Sequence, residues 1–362
     1  MIKTFKIAVF DGDGIGPEIM RPTVALLESM ASRSSAYSFE FETVPAGAAH
    51  YAQHGESLPE ASLAIARGAD AILLSAMGLP SVRYPDGTEI SPQIEIRKAL
   101  KLYAGVRPVR IAPGQPTPLA LKGGQEVDFV LIRESTEGLF HSQGSRDVRD
   151  DQAAYETLKI TRETSEKLFR FAFALAESRK AAGRGPGKVT CVDKANVFAA
   201  FAFFRKIFDE EAARHAGLTS DHAYVDATAL WMVEKPWIFD VIVTENMFGD
   251  ILSDLGAGLM GGLGLAPSAD IGDDHAVFQP CHGSAPDIAG QGIANPFAMI
   301  LSAAMMLDWL GASHGLPEMI NDGKRLREAV EAAIADRNTV TRDLGGAAST
   351  AEAAAGIAAR LV

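Results

Sequence analysis

Two aspartates, Asp250 and Asp254, stand four residues apart in the stretch 240–264, DVIVTENMFGDILSDLGAGLMGGLG. An apolar strand there hands directly to a helix, and residues four apart on a helix are surface neighbours, so both carboxylates face the same way. Like charges held together beside a strand end repel unless a cation sits between them. Mg²⁺ or Mn²⁺ suits such a pair, because these ions take oxygen ligands in octahedral array and leave positions for water and substrate. By itself the spacing favours a plainer reading, a solvated helix face whose N-terminal acids the helix dipole stabilises. The residues elsewhere in the chain turn that balance.

Arginines recur at element ends: Arg97 in EIRK, Arg107 in GVRP and Arg133 in LIRES. A guanidinium presents a rigid fork of donors that matches a carboxylate in a bidentate manner. Singly each reads as a surface cation; together they can grip a di- or tricarboxylic acid. Lys194 and Asn196, in VDKAN, follow an apolar strand and precede a helix. A lysine beside other cations and a metal can have its pKa lowered toward that of a base, although a helix-start lysine needs no such role. Asp226, in YVDA, again sits at a strand end and can join Asp250 and Asp254 on a metal. The segment 282–296, HGSAPDIAGQGIANP, is built of small residues that let backbone amides approach a ligand closely. Asp287 within it offers an acceptor for ribose hydroxyls, and a plain turn has the same composition.

The elements that would position these residues alternate. Short runs rich in Val, Ile and Phe (KIAVF, DAILLSA, VDFVLIRES, KVTCVDK, HAYVDA) are separated by helical patterns over 18–31, 92–103, 162–180 and 199–215, and 295 onward is mostly helical. That order indicates an α/β protein with largely parallel strands. FDGDGIGPE, between the first strand and helix, is no dinucleotide fingerprint, since Gly12, Gly14 and Gly16 fall at every second position rather than as G-x-G-x-x-G. It reads as a tight turn at a ligand cleft, with Pro17 in the first helical turn. The polar stretch 138–157, with Arg146, Asp147, Arg149, Asp150 and Asp151, breaks the alternation. It is either an arm toward a second subunit or a surface loop.

The 362 residues allow one to three domains, and 47% apolar with 22% charged residues is ordinary for a globular protein. A formal charge of −12 argues against nucleic acid as partner. Cys191 and Cys281, far apart, suit a reducing compartment and read as packing residues. The N-terminus opens on a strand without a charged-then-apolar leader, and the longest apolar run, 296–307, is too short to span a bilayer. A cytoplasmic protein is expected, with no membrane partner.

These pieces together resemble the β-decarboxylating dehydrogenase family of 3-isopropylmalate, isocitrate, homoisocitrate, tartrate and D-malate dehydrogenases. GDGIGPE, IRK, VRP, RESTEG, VDKAN, YVDA, NMFGDILSDLGAGLMGGLGLAPSA and HGSAPDIAGQGIANP carry the resemblance, which spans essentially the whole chain. It implies a two-domain α/β subunit with a mixed sheet running through both domains, not a Rossmann fold. Residues 1–102 and 261–362 would form a first, NAD-binding domain, and 103–260 a second domain for dimerisation, metal and substrate, with the arm near 138–157. The resemblance further implies a homodimer with shared active sites. Arg97, Arg107 and Arg133 would hold the malate carboxylates, with Val197 also at the substrate. Asp250 and Asp254 would hold Mg²⁺ or Mn²⁺ with Asp226 of the other subunit, whose Lys194 would act as base. His282, Gly283, Ser284, Ala285, Asp287, Ile288 and Asn295 would line the adenosine side of NAD, an acid at Asp287 disfavouring a 2′-phosphate.

Two departures matter. The family usually places a tyrosine seven residues after the arginine of the RE motif, as proton donor to the enolate carbon, and this chain has Phe140. The expectation is slowed decarboxylation or reprotonation, or substitution by His141 or a water. The pocket for the variable group falls on ISPQIEIRK, with Ile90, Ser91, Gln93 and Ile94 as its walls. Ser91 and Gln93 are similar in kind to the Ser and Asn with which isocitrate enzymes hold an extra carboxylate. The preferred expectation is NAD-dependent oxidative decarboxylation of 3-isopropylmalate, as in leucine biosynthesis. A tartrate, D-malate or isocitrate enzyme is the alternative, and a non-catalytic regulatory subunit the alternative of another class.

Overall fold

A computed structural model describes residues 2–144 and 147–361. Its strands are β1 (Lys3–Phe10), β2 (Tyr37–Thr43), β3 (Ala71–Leu74), β4 (Ala104–Arg110), β5 (Asp128–Glu134), β6 (Asp147–Arg149), β7 (Ala153–Tyr155), β8 (Lys188–Asp193), β9 (Thr219–Tyr224), β10 (Val241–Thr244), β11 (Pro267–Ile271) and β12 (Ala276–Pro280). Ten of them form one sheet in the order β2-β1-β3-β12-β11-β4-β5-β10-β8-β9. The flanks are parallel, as the alternation requires. AILL of β3 and VIVT of β10 are buried along their whole length, as strands covered by helices on both faces must be. In the middle, β11 runs antiparallel to both β12 and β4, and β4 antiparallel to β5. The chain therefore leaves the first flank, builds the second, and returns through β12 beside β3. This mixed sheet is the expected architecture.

Helix ends differ from the periodicity. The helix expected over 92–103 ends at Ala99, and Lys101 takes φ +53 as the chain turns into β4. The helix Asn246–Leu259 starts where Glu245 accepts from the amides of Met247 at 3.1 Å and Phe248 at 2.7 Å. The polar stretch 138–157 holds a short 3-10 turn, Leu139–Ser142, and a hairpin in which β6 pairs antiparallel with β7. Ser145 and Arg146 of that stretch lie outside the described residues.

The longest apolar run belongs to a longer helix than its composition suggests. That helix runs on from Phe297 to His314, 18 residues, so by length and composition it could cross a membrane. Its low amphipathicity has another cause: it packs against β11 and β12 and 61% of it is buried.

Candidate active site

The middle of the sheet and the loops at one side of it enclose a cavity of about 540 Å³. It brings together Arg97, Arg107, Arg133, Phe140, Asp250, Asp254, Ser91, Gln93, Ile94, His282 and Gly283. They are spread along the chain from Ser91 to Gly283. The return of β11 and β12 to the sheet's centre closes that distance.

Beneath the cavity lies Asp270 of β11, fully buried and absent from the sequence reading. Its carboxylate accepts from Arg97 Nε at 2.9 Å, Arg107 Nη2 at 3.4 Å, Ser135 Oγ at 3.2 Å and Gln279 Nε2 at 2.6 Å. Burial pushes its carboxyl up, but the Arg97, Arg107 and Arg133 guanidinium groups outweigh burial and hold it below the usual carboxylate range. An unpaired buried cation is costly; Asp270 supplies the buried counter-charge to Arg97 and Arg107 at the base of the cavity.

Arg133, at the end of β5, gives Nε and Nη2 to Asn246 Oδ1 at 3.0 and 2.7 Å and Nη1 to Asp250. Its guanidinium lies over the Phe140 ring, 5.3 Å from the centroid. Burial and the neighbouring Arg97 bring it down to about 10, still protonated at neutral pH. Gly249 sets this contact: a Cβ there would meet Arg133 Cβ at 2.6 Å, so only glycine lets the helix carrying Asp250 pack directly on the arginine.

Asp254 lies one turn further on. Burial, then the Asp250 charge, raise its carboxyl. Two carboxylates at a half-buried cavity wall, one of them reluctant to ionise alone, are an oxygen donor set that fits a hard divalent cation. Among the described residues no group of three His, Cys, Asp or Glu side chains converges for a metal, so one chain offers this pair and no third ligand.

Four cavity-lining side chains keep a buried polar atom with no partner among the described residues: Arg107 Nη1, Gln93 Oε1, Ser75 Oγ and His282 Nε2. Each such group costs about 1–3 kcal/mol if left dry. Their convergence on one space marks it as built for a polar, anionic ligand.

Other expected residues fall elsewhere. Ile90 does not wall the cavity: it is fully buried, while its neighbours Gly87, Thr88, Glu89 and Ser91 line that space. His141 is exposed on the 3-10 turn and does not line the cavity, so as a substitute for the missing hydroxyl it is out of place. Lys194 Nζ binds Asp226 Oδ1 at 2.5 Å, 5.9 Å from the Tyr224 ring centroid, and neither lines this cavity. That hydrogen bond holds the Asp226 carboxyl below its usual range. Val197 is 58% exposed and also lies outside it.

The loop after β12 continues from His282 and Gly283 along one wall. The Ser284 carbonyl accepts from Ile15 N at 2.8 Å, its hydroxyl donates to the Gly78 carbonyl, and Asp13 accepts from the amides of Ala48, Ala49 and Gly78 at 2.7–2.8 Å. Gly14, at φ +58, would put a Cβ 2.0 Å from the Ser284 carbonyl oxygen. The glycine turn after β1 thus locks onto this loop. Ala285 takes φ +38, Ile288 is half-buried, and Asp287 is exposed. Asn295 is engaged at both ends, donating to Asp343 at 2.9 Å and accepting from Phe297 N at 2.9 Å. Burial pushes the His282 imidazole down, so the ring is neutral at pH 7.

Comparison with known proteins agrees with this geometry. Residues 6–357 match the sequence profile described as isocitrate/isopropylmalate dehydrogenase. The chain is 41% identical over 361 residues to a Methanocaldococcus jannaschii protein named 3-isopropylmalate/3-methylmalate dehydrogenase, covering 98% of each. It is 41% identical over 348 residues to the 3-isopropylmalate dehydrogenase of Bacillus subtilis, covering 94% of this chain and 91% of that one. The crystal structure of isocitrate dehydrogenase from Methylococcus capsulatus superposes with a TM-score of 0.83 at 37% identity, covering 99% of both chains.

Proposed function

The chain belongs to the isocitrate/isopropylmalate dehydrogenase family, and from that premise we propose that it oxidises and decarboxylates a 3-substituted malate with NAD, the preferred substrate being 3-isopropylmalate, in the cytoplasm. The observation that carries the reading is the meeting of Arg97, Arg107 and Arg133 with Asp250 and Asp254 around one cleft, where Arg107 Nη1 has no partner among the described residues. In this reading 1–102 with 261–362 form the NAD-binding domain and 103–260 the second domain of a homodimer, its arm near 138–157. The names of the curated relatives support the substrate.

Arg97 and Arg107 orient the acid by its carboxylates, their positions fixed from below by Asp270. Asp250 and Asp254, with Asp226 of the partner subunit, would hold Mg²⁺ or Mn²⁺, which would supply the Lewis acidity that stabilises negative oxygen during oxidation and CO₂ loss. Lys194 of the partner subunit takes the C2 hydroxyl proton, and NAD, where bound, would supply the acceptor for the C2 hydride. The resulting β-keto acid breaks its C3–carboxyl bond, and C3 then needs a proton. Phe140 has none to give, so water in the cavity delivers it. His282, Gly283, Ser284, Ala285, Asp287, Ile288 and Asn295 flank the adenosine.

One observation favours a second reading, a substrate with a hydrogen-bond donor in place of the isopropyl, such as the hydroxyl of tartrate. Ser91 and Gln93 stand at the cavity with Ile94, and Gln93 Oε1 is unpartnered. The test is a panel of 3-isopropylmalate, D-malate, tartrate and isocitrate with NAD and Mn²⁺, NADH and CO₂ being followed separately. A rate with 3-isopropylmalate near background overturns the preferred substrate; intact binding without turnover of any acid would instead favour a regulatory subunit.

A further inference from the structure

The central strands have a second cavity on their other face. Side chains alternate along a strand, so Val106 and Pro108 flank Arg107 on β4, Ala269 sits between Ser268 and Asp270 on β11, and Phe278 precedes Gln279 on β12. Val106, Pro108, Ala269 and Phe278 line a space of about 330 Å³ that shares no lining residue with the catalytic cavity. The helices Arg162–Ala181, Phe297–His314 and Pro317–Ala335 close it, contributing among others Leu175, Leu301 and Val330. Small-molecule sites begin at about 300 Å³.

The chemistry of the walls is uneven. The floor and sides are aliphatic and aromatic, while the charged lining consists of four arginines, Arg110, Arg179, Arg184 and Arg327, against two carboxylates, Asp308 and Glu331. Arg179 is fixed by Asp240 at 2.7 Å and by Asp128 at 3.1 Å. Arg110 and Arg184 are each 41% exposed: Arg110 pairs with Glu331 at 3.1 and 3.3 Å and Arg184 with Asp128 at 3.2 Å. Of the two, Arg110 has the cavity-lining partner, and a ligand carboxylate can compete with Glu331 for it.

We propose that this cavity is a binding site for a small monoanion with an apolar body, an alkyl or aryl carboxylate or sulfonate, the body lying against Val106, Ala269, Phe278 and Leu301 and the anionic group on Arg110. The site is separate from the catalytic cavity and independent of the substrate assigned there.

Calorimetric titration of the full-length protein with octanoate, and its displacement of 8-anilinonaphthalene-1-sulfonate, tests this. Saturation at one site per chain with micromolar to low-millimolar affinity is expected. Leu301→Trp, which fills the space, weakens binding at least tenfold, and Arg110→Glu at least fivefold. Arg97→Ala, in the other cavity, leaves it unchanged. Thermal melting of each variant verifies folding, and the exposed Arg110 provides a test that does not disturb the core. No saturable binding, equal binding in Leu301→Trp and Arg110→Glu, or loss in Arg97→Ala would each overturn the assignment.

Discussion

Asp270 and Arg107 face one another across 3.4 Å beneath the catalytic cavity, both buried, on adjacent antiparallel strands. Asp270 also binds Arg97, so a single carboxylate anchors two of the three arginines expected at the substrate. Removing one partner of a buried pair costs about 3–5 kcal/mol. Asp270→Asn is therefore expected to lower the melting temperature by several degrees at pH 7 and to raise KM for the acid at least tenfold. The pH dependence has a definite sign. The folded-state pKa of Asp270 is depressed, so its contribution is present above the ordinary aspartate range and lost as pH falls through the folded value. The gap between wild type and variant should close below about pH 4. A pH-independent gap, or an unchanged KM, would remove Asp270 from this role.

The pair Asp250 and Asp254 gives a metal prediction with a readout beyond turnover. A ligand at about a hundredfold its dissociation constant adds about 2.7 kcal/mol to the fold that binds it. Mn²⁺ should raise the melting temperature of the wild type by several degrees and fail to do so for Asp254→Asn, and chelation should abolish NADH formation. Equal Mn²⁺ shifts in both proteins would mean that the ion binds elsewhere.

What the sequence made legible is local. The acid pair follows from a four-residue spacing on one helix, and the parallel flanks from runs such as AILL and VIVT. Asp270 carried no such signal: PSADI is a short strand whose lone acid becomes informative only when β4 and β12 place Arg107 and Gln279 beside it. Strand β2, YSFEFET, alternates aromatic and polar residues, a strand signal present in the sequence itself. Asp13 lay inside a motif noted for its glycines, yet its work is long-range, binding amides at 48, 49 and 78. Ile90 shows the reverse error, since an apolar residue beside a binding helix is equally well a core residue.

Phe140 lies over Arg133 in the cavity wall without a hydroxyl. A positioned general acid contributes about 10²–10⁴-fold, so Phe140→Tyr is expected to speed CO₂ release at least tenfold relative to NADH formation, if the tyrosine hydroxyl reaches the enolate carbon. In D₂O the wild type, protonated by water, should deliver deuterium to both faces of C3, and the tyrosine variant to one. His141→Ala should change neither rate, because that side chain is outside the cavity. Stereospecific deuteration by the wild type would reveal a protein acid that the cavity wall does not disclose.

Lys194 and Asp226 hold each other at 2.5 Å outside the cavity of their own chain, which suits residues that serve a partner's site. The consequence is a complementation test. In the proposed homodimer, Lys194→Ala and Asp254→Asn should each be nearly inactive, one lacking the proposed base in both sites and the other a proposed metal ligand. After subunit exchange about half the dimers are mixed, and with two-fold symmetry each mixed dimer carries one site with both defects and one with neither. Activity should return to about a quarter of the wild-type value in that mixture. If all these residues instead act within one chain, every site keeps one defect whatever the pairing, and mixing restores nothing.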